Sequence, residues 1–477
     1  MFIDYTFQDW EATPESERLE LIEKIISSYK ASEDFKKAEE ADEYFRAGKT
    51  AISKKVVLQP HTLKYKDGEG NVTKTTQMEE IIGTRIYSNF FFLFVTQQNQ
   101  YLLGNGVTVD DQSSADVLTM GFDNTVEKIG EKALIHGVCW GYWNNDHLEM
   151  IPAFSNSLSG FVALVDERTS LPRLGVQFWQ MDEKRPVYVR LFEEDGLTEY
   201  RKMVEDGAKF VEYQPKRAYK QTWAEDAAGM TLVSAQNYGS LPVVPFYASD
   251  LKCSELTNSI KEKIDAYDVI FSDFGDNLAQ ANEIYWVFNN FGGRTSDIAE
   301  TLATIKQLKA VANISDGTNG STVEAKSFDV PYAARQAALA LLERALYRDY
   351  MAMSMDELTG GSLTNVAIRV AQTNLDLKAN RYEWEAFSFV QRVLKLAGIE
   401  TEKISFKRQN ISNVTETIQN IYAMRQDIDQ RTALNLNPLV SVDDVDDIIK
   451  ATQEEAYLAR EQMQLEQELE TVMADAE

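Results

Sequence analysis

Two adjacent glycines, Gly360 and Gly361, interrupt what is otherwise a nearly continuous helical stretch from residue 329 to residue 397. Each costs about 1 kcal/mol relative to alanine in a helix interior, so the pair breaks the helix. Before the break, Asp329-Val330-Pro331 supplies an N-cap and a first-turn proline, whose missing N–H would be unbonded there anyway. From Tyr332 to near Met353, Ala338, Leu341, Leu342, Ala345 and Leu346 recur at spacings of three and four and line one face. The break reads Met355-Asp-Glu-Leu-Thr-Gly-Gly-Ser-Leu-Thr-Asn365. Helix resumes near Val366 and reaches Leu396, with Gly398 as its C′ residue. The pattern predicts a helix, a jointed loop and a longer helix, which equally describes a helical hairpin in an ordinary core.

At 477 residues the chain has room for two to four domains. Its 44% apolar and 26% charged content is that of a globular protein. The most apolar run, Phe90-Phe-Phe-Leu-Phe-Val95, is too short to span a bilayer. Met1-Phe-Ile-Asp-Tyr-Thr6 has no basic region followed by an apolar one, so no signal peptide is expected. Two cysteines, Cys139 and Cys253, staple nothing of this size and fit a reducing, cytosol-like compartment. The net charge of −27 argues against ordinary tight duplex binding, which needs a basic footprint. Its bland meaning is solubility; its sharper one is a surface that nucleic acid passes without adhering.

In chain order, residues 11–50 read as helix, opened by Thr13-Pro14 and carrying the stripe Leu19, Ile22, Ile25 and Ile26; Glu39–Glu43 reads as a solvated face. Lys66–Val72 is a turn between strands at Val56–Tyr65 and Val72–Thr75. A helix is expected from about Met78 to Tyr101, extended chain to Val109, and another helix from Asn124 to Gly137. Between Val138 and Pro245 short alternating runs separated by Glu194-Asp-Gly196 and Glu205-Asp-Gly207 predict about a hundred residues of antiparallel sheet. Leu241-Pro-Val-Val-Pro-Phe-Tyr247 closes it. Ser254–Ala281 is a helix striped by Leu256, Ile260, Ile264, Tyr267, Ile270, Phe274 and Leu278. Residues 283–328 read as a small α+β insert with Ile284–Phe288 extended, a helix over Ile298–Leu302, and Leu308–Ile314 and Thr322–Ala325 flanking a turn. After the central helix pair, Ile399–Phe406 is extended and Val414–Asp429 and Val442–Asp475 are helical. Residues 412–477 hold fifteen acids and four bases.

Catalytic signatures are missing. His61, His136 and His147 include no helical i, i+4 pair, and no GxxxxGK[ST], GxSxG or EF-hand pattern occurs. Gly104 and Gly106 follow a predicted helix rather than a strand and lack the third glycine of a dinucleotide fingerprint. Asp110-Asp111 and Asp443–Asp447 read as turn and helix-start acids. No enzyme, cofactor or metal site is expected.

Four stretches carry a family resemblance: Tyr101-Leu-Leu-Gly-Asn-Gly-Val107; Leu241–Tyr247; Ile264-Asp-Ala-Tyr-Asp-Val-Ile-Phe-Ser-Asp273; and Gly361-Ser-Leu-Thr-Asn-Val-Ala-Ile368 followed by Asn374-Leu-Asp-Leu-Lys-Ala379. In this order, with the insert between the two helices, the chain resembles the portal protein of tailed bacteriophages, in the version of long-tailed phages of Gram-positive hosts. The resemblance implies an α+β, mainly helical fold assembled as a ring, usually of twelve subunits, at one capsid vertex. It implies a β-containing wing (1–253), a stem of two helices (254–281 and 331–353), a small α/β clip (282–330), a tunnel loop (354–366), a tunnel helix returning to the wing (367–411), and a crown with an acidic tail (412–477). It assigns the DNA channel to Glu357, Leu358, Thr359, Gly360, Gly361, Ser362, Leu363, Thr364 and Asn365. Contact with motor and adaptors falls to Asn289, Asn290, Gly292, Gly293, Arg294, Asp316 and Asn319. The implied partners are further copies of the chain, viral double-stranded DNA, the terminase large subunit, a head–tail adaptor, and the major capsid and scaffolding proteins, with no membrane. The implied location is the virion, reached from the host cytoplasm during assembly. A ring-forming head–tail connector or oligomeric scaffold without DNA passage is the alternative.

Overall fold

The computed structural model describes residues 4–66, 72–109, 117–205, 207–226, 229–281, 285–289, 322–326, 332–354, 365–401, 403–408, 414–424, 428–437, 439–440, 445, 447–454 and 457–458. The amino-terminal helices are α1 (Phe7–Ala12), α2 (Arg18–Ala31) and α3 (Glu33–Phe45). Ser32 separates the last two, its Oγ accepting from the Phe35 N–H at 3.2 Å as an N-cap. A long hairpin follows, β1 (Val56–Lys66) against β2 (Val72–Ile82). The second strand outruns the expectation. Ile81 and Ile82 pair with Val57 and Val56, so the helix expected from Met78 begins instead at Phe90, as α4 (Phe90–Leu103). β-Branched residues at a strand end kept the pairing going where apolar spacing suggested helix. Next come β3 (Val107–Val109) and α5 (Met120–His136), which ends on Gly137 at φ +89°, a left-handed C-cap that only glycine adopts without strain.

The sheet region begins with β4 (Val138–Asn144), β5 (His147–Pro152), β6 (Phe154–Asn156), β7 (Ser159–Val165), β8 (Pro172–Trp179), β9 (Val187–Glu193), β10 (Gly196–Lys202) and β11 (Val211–Arg217). Strands β6 to β11 form one antiparallel meander with neighbours in sequence order. The hairpin β12 (Lys220–Asp226) and β13 (Gly229–Gln236) follows, then β14 (Val243–Tyr247), which joins β4 and β5 in a three-stranded sheet. Alternation assigns the faces of the meander. Val162, Leu164, Leu174, Val176, Phe178, Val189 and Leu191 turn to Ile22, Ile25, Ile26 and Tyr29 of α2. On the other face, Phe161, Phe192 and Leu197 meet Trp140, Tyr142 and Ile151 of the three-stranded sheet.

Beyond it lie α6 (Asn258–Ala281), β15 (Tyr285–Asn289) paired with β16 (Thr322–Lys326), α7 (Tyr332–Tyr350), α8 (Asn365–Leu396), β17 (Ile404–Phe406) on β3, α9 (Val414–Ala423) and α10 (Gln430–Leu436). The largest core joins α4, α5, α8, the start of α6 and the end of α7. Boundaries shift for identifiable reasons. Residues 254–257 are not helical but tied to the end of α5, the Ser254 hydroxyl donating to the Ile135 carbonyl at 2.6 Å and the Glu255 N–H to that of Leu134, so α6 starts at Asn258. The helix expected to Asp429 ends at Ala423, and Asp429 caps α10 by accepting from the Thr432 N–H. Strand in 399–406 is confined to the three residues that find a partner in β3. The elements expected at 298–302 and 308–314 lie outside the described residues.

Glu39–Glu43 is not simply a solvated face. Asp42 is buried and bonds Lys132 (2.8 Å), Arg46 (2.7 Å) and the buried His136 (3.4 Å). Burial would raise the Asp42 carboxyl, but His136 and Lys132 outweigh it and hold it down at about 2. Burial lowers the pKa of His136 in turn, so the ring is neutral near pH 7.

Candidate functional site

Helix α6 carries two stripes. Ile260 and Ile264 enter the core, and Phe274 meets Tyr332 of α7 with ring centroids 5.5 Å apart. The second stripe is polar: Asp268, Ser272 and Asp276, four residues apart. It grips the extended strap between β2 and α4. The Ser88 N–H donates to Asp268 Oδ1 (3.0 Å), the Ile86 N–H to Ser272 Oγ (2.9 Å) and the Thr84 N–H to Asp276 Oδ1 (2.9 Å). Four helical residues rise about 6 Å and two extended residues about 6.6 Å, so every second strap amide meets every fourth helix side chain. Lys55 closes the far end, 2.7 Å from both Asp273 and Asp276. Tyr44 closes the near end, donating to Asp265 at 2.5 Å.

The two ends of the clasp differ electrostatically. Asp268 and Ser272 are 1% and 0% exposed. Burial lifts the Asp268 carboxyl to about 6, against the pull of the Ser88 hydrogen bonding. Burial also acts on Asp276, but Lys55 and Thr84 overcome it and lower its pKa.

Helix α7 ends on the same framework. Tyr347 and Tyr350 pack against Phe94, the latter stacked at 4.6 Å, and Phe90 stands edge-on to Tyr267 of α6 at 5.0 Å. The Ala352 N–H returns to the Tyr347 carbonyl and the Met351 N–H to that of Arg348, a Schellman ending. It puts Met351 at φ +64°, where glycine is usual, and stops α7 at Tyr350 rather than Met353. Gln97 then holds Met353 twice: its Oε1 accepts from the Met353 N–H (3.0 Å) and its Nε2 donates to the Met353 carbonyl (3.1 Å). Met353 packs with Tyr101, Leu375 and Ala379. Lys378 of α8, its side chain 13% exposed, donates to the Tyr350 carbonyl (2.9 Å), pairs with Glu255 (2.8 Å) and lies over the Tyr350 ring. Burial lowers its pKa, and Glu255 opposes that. The residue that leads into 355–364 and the helix that leads out of it are therefore fastened to each other.

Of the residues assigned to the channel, 357–364 lie outside the described residues, and Asn365 is the first residue of α8. Of those assigned to the motor and adaptor contact, Asn289 ends β15 opposite Thr322. Asn290, Gly292, Gly293, Arg294, Asp316 and Asn319 lie outside the described residues. Sequence reasoning missed the clasp and the Gln97 and Lys378 anchors. Only the clasp left a trace, polar residues at every fourth position beside an apolar stripe.

Among the described residues several large apolar side chains on these helices are exposed: Leu278 on α6, Leu341 on α7, and Val366, Val370, Leu377 and Trp384 on α8. Beside them a groove of about 530 Å3 runs along α4 and α6, walled by Phe90, Phe92, Leu93, Tyr267 and Phe271. Among the described residues no cluster of His, Cys, Asp and Glu could hold a metal ion, and no helix is long and apolar enough to cross a membrane.

Comparison with known proteins gives the arrangement its context. Residues 23–468 match the family described as "Phage portal protein, SPP1 Gp6-like". A protein named "Portal protein" from Clostridium phage phiCD119 is 23% identical over 323 residues, which cover 65% of this chain and 70% of the relative. Two outer helices held against a third, with a glycine-bearing segment between fastened ends, thus occur in a chain that matches one family over nearly its whole length: it belongs to the phage portal proteins, structural and non-enzymatic components of the virion.

Proposed function

We propose that copies of this chain, twelve in number, close into a ring at one capsid vertex, through which viral DNA enters during packaging and leaves at ejection. In this reading 1–253 is the wing, α6 and α7 are the stem, 282–330 is the clip, 354–366 the tunnel loop, α8 the tunnel helix and 412–477 the crown. The clip meets the terminase large subunit during packaging and a head–tail adaptor afterwards. The capsid and scaffolding proteins surround the ring as it assembles in the host cytoplasm.

The observation that carries this reading is the fastening of both flanks of 355–364. A segment with Gly360 and Gly361 at its centre and anchors at Met353 and Leu375 can follow a moving polymer without loosening the helices that present it. Thr359, Ser362, Thr364 and Asn365 suit weak, sequence-blind contact with phosphates. Duplex DNA carries one charge per about 1.7 Å, and a chain of net charge −27 offers it no deep electrostatic well. Asp265, Asp268 and Asp276 are turned to partners in their own subunit, so the repulsion falls to the remaining acids. The work of packaging comes from a separate motor.

The test is a Gly360→Pro, Gly361→Pro double variant in an infected cell. DNA packaging and infectious yield should collapse while the purified variant still forms rings under negative stain. Full packaging would refute the channel assignment; loss of rings in the unaltered protein would refute the portal reading as a whole.

A further inference from the structure

The six-stranded meander packs one face on α2, and on the other the three-stranded sheet covers it around Phe161, Phe192 and Leu197. The open part is built unlike ordinary solvated sheet. Trp179 stacks on Tyr188 at 5.6 Å, and Tyr188 stands edge-on to Tyr213 at 5.7 Å. Arg190 lies over Trp179 and Arg201 over Tyr213, at 5.6 and 5.1 Å. Tyr213 is 48% exposed and its neighbour Val211 53%. Tryptophan, tyrosine and arginine are the residues that dominate binding hot spots, and here they interleave on one face.

Arg190 and Arg217 share one carboxylate, that of Glu199. With Arg201 the patch carries excess positive charge in a chain of net charge −27. Its occupant must bring carboxylates for the arginines and apolar side chains for the exposed Tyr213 and Val211. A phosphodiester backbone brings no apolar side chains; an acidic amphipathic polypeptide brings both. Residues 459–477 have that chemistry: six acids against one base, with Leu465, Leu469, Val472 and Met473 at helical spacing between them.

We propose that the open face of the meander, centred on Arg190, Arg201 and Tyr213, is a docking surface for the acidic carboxy-terminal segment 459–477 of this chain. The experiment uses the full-length protein with Tyr213 replaced by the photo-cross-linker p-benzoylphenylalanine, and maps the adducts by mass spectrometry. Adducts should fall within 459–477, and Arg201→Glu or Glu466, Glu468 and Glu470→Gln should lower their yield about tenfold or more, as expected for losing charge-assisted bonds. Arg201→Lys, which keeps charge but not the planar fork, should lower it less, and Lys395→Glu, the same charge change on α8, not at all. The proposal is overturned if no adduct forms, if adducts map to folded surface of a second copy, if single-stranded DNA at physiological salt displaces them, or if Arg201→Glu leaves the yield unchanged.

Discussion

Asp268 is a carboxyl group placed where water does not reach, on the helix that anchors the strap. Its folded pKa of about 6 lies above its ordinary value, so between about pH 4 and 6 the folded chain holds a proton the unfolded chain has lost. Its contribution is therefore complete in acid and is lost as pH rises through that window. Asp268→Asn keeps an oxygen for the Ser88 N–H and removes the titration. The variant's advantage over the parent in thermal melting should grow from pH 4 to pH 7, reaching on the order of 1–3 kcal/mol; a difference independent of pH would show that Asp268 does not titrate there. Lys378 is the opposite case, a buried cation held by one carboxylate. Lys378→Met should cost about 3–5 kcal/mol by stranding Glu255, and Lys378→Met with Glu255→Gln should recover much of it in urea titrations. Neither residue could be singled out beforehand. A lone Asp or Lys in a charged helix looks the same from its sequence neighbours whether it meets water or a partner more than a hundred residues away, as Lys378 meets Glu255.

Element by element, helices whose ends are fixed by their own residues were legible. Gly398 sits at φ +89° after α8, as its place after the apolar stripe implied, and Gly137 takes the same angle after α5. The start of α4 was not legible, because the strand that displaces it is set by pairing with β1. The end of α7 was missed by three residues, since nothing in Met351 announces a left-handed backbone. The Gln97 anchor belongs to this scale, for it holds the end of one helix segment from the side of another. Gln97→Ala should speed hydrogen exchange at the Met353 amide and cost about 1–3 kcal/mol, leaving two backbone groups unbonded. Unchanged exchange at Met353 would mean that the packing of Tyr101, Leu375 and Ala379 holds it alone.

For the whole molecule, family and mixed α+β character were legible because they rest on the order of many weak features, whereas the channel and clip residues fall largely outside the described structure. Among the described residues Leu341, Val370 and Trp384 are 65%, 70% and 74% exposed, the kind of apolar surface that subunit contacts use. Val370→Asp with Leu341→Asp should shift purified protein from rings to single chains in mass photometry, with little change in melting temperature; intact rings would place the subunit contact elsewhere.

The clasp between α6 and the strap works as a vernier, two scales ruled at slightly different pitch. Three marks coincide, at Thr84, Ile86 and Ser88, and the accumulated offset of about 1.2 Å is taken up by short side chains. A fourth mark would slip, and the strap accordingly gives way to β2 on one side and α4 on the other. Because amides alternate direction along extended chain, one residue added between Thr84 and Ser88 throws a mark to the wrong side. Two residues added there need four in the facing helix to bring the rulings back into coincidence, so lengthening one scale is tolerated only when the other is lengthened in the ratio of two to one.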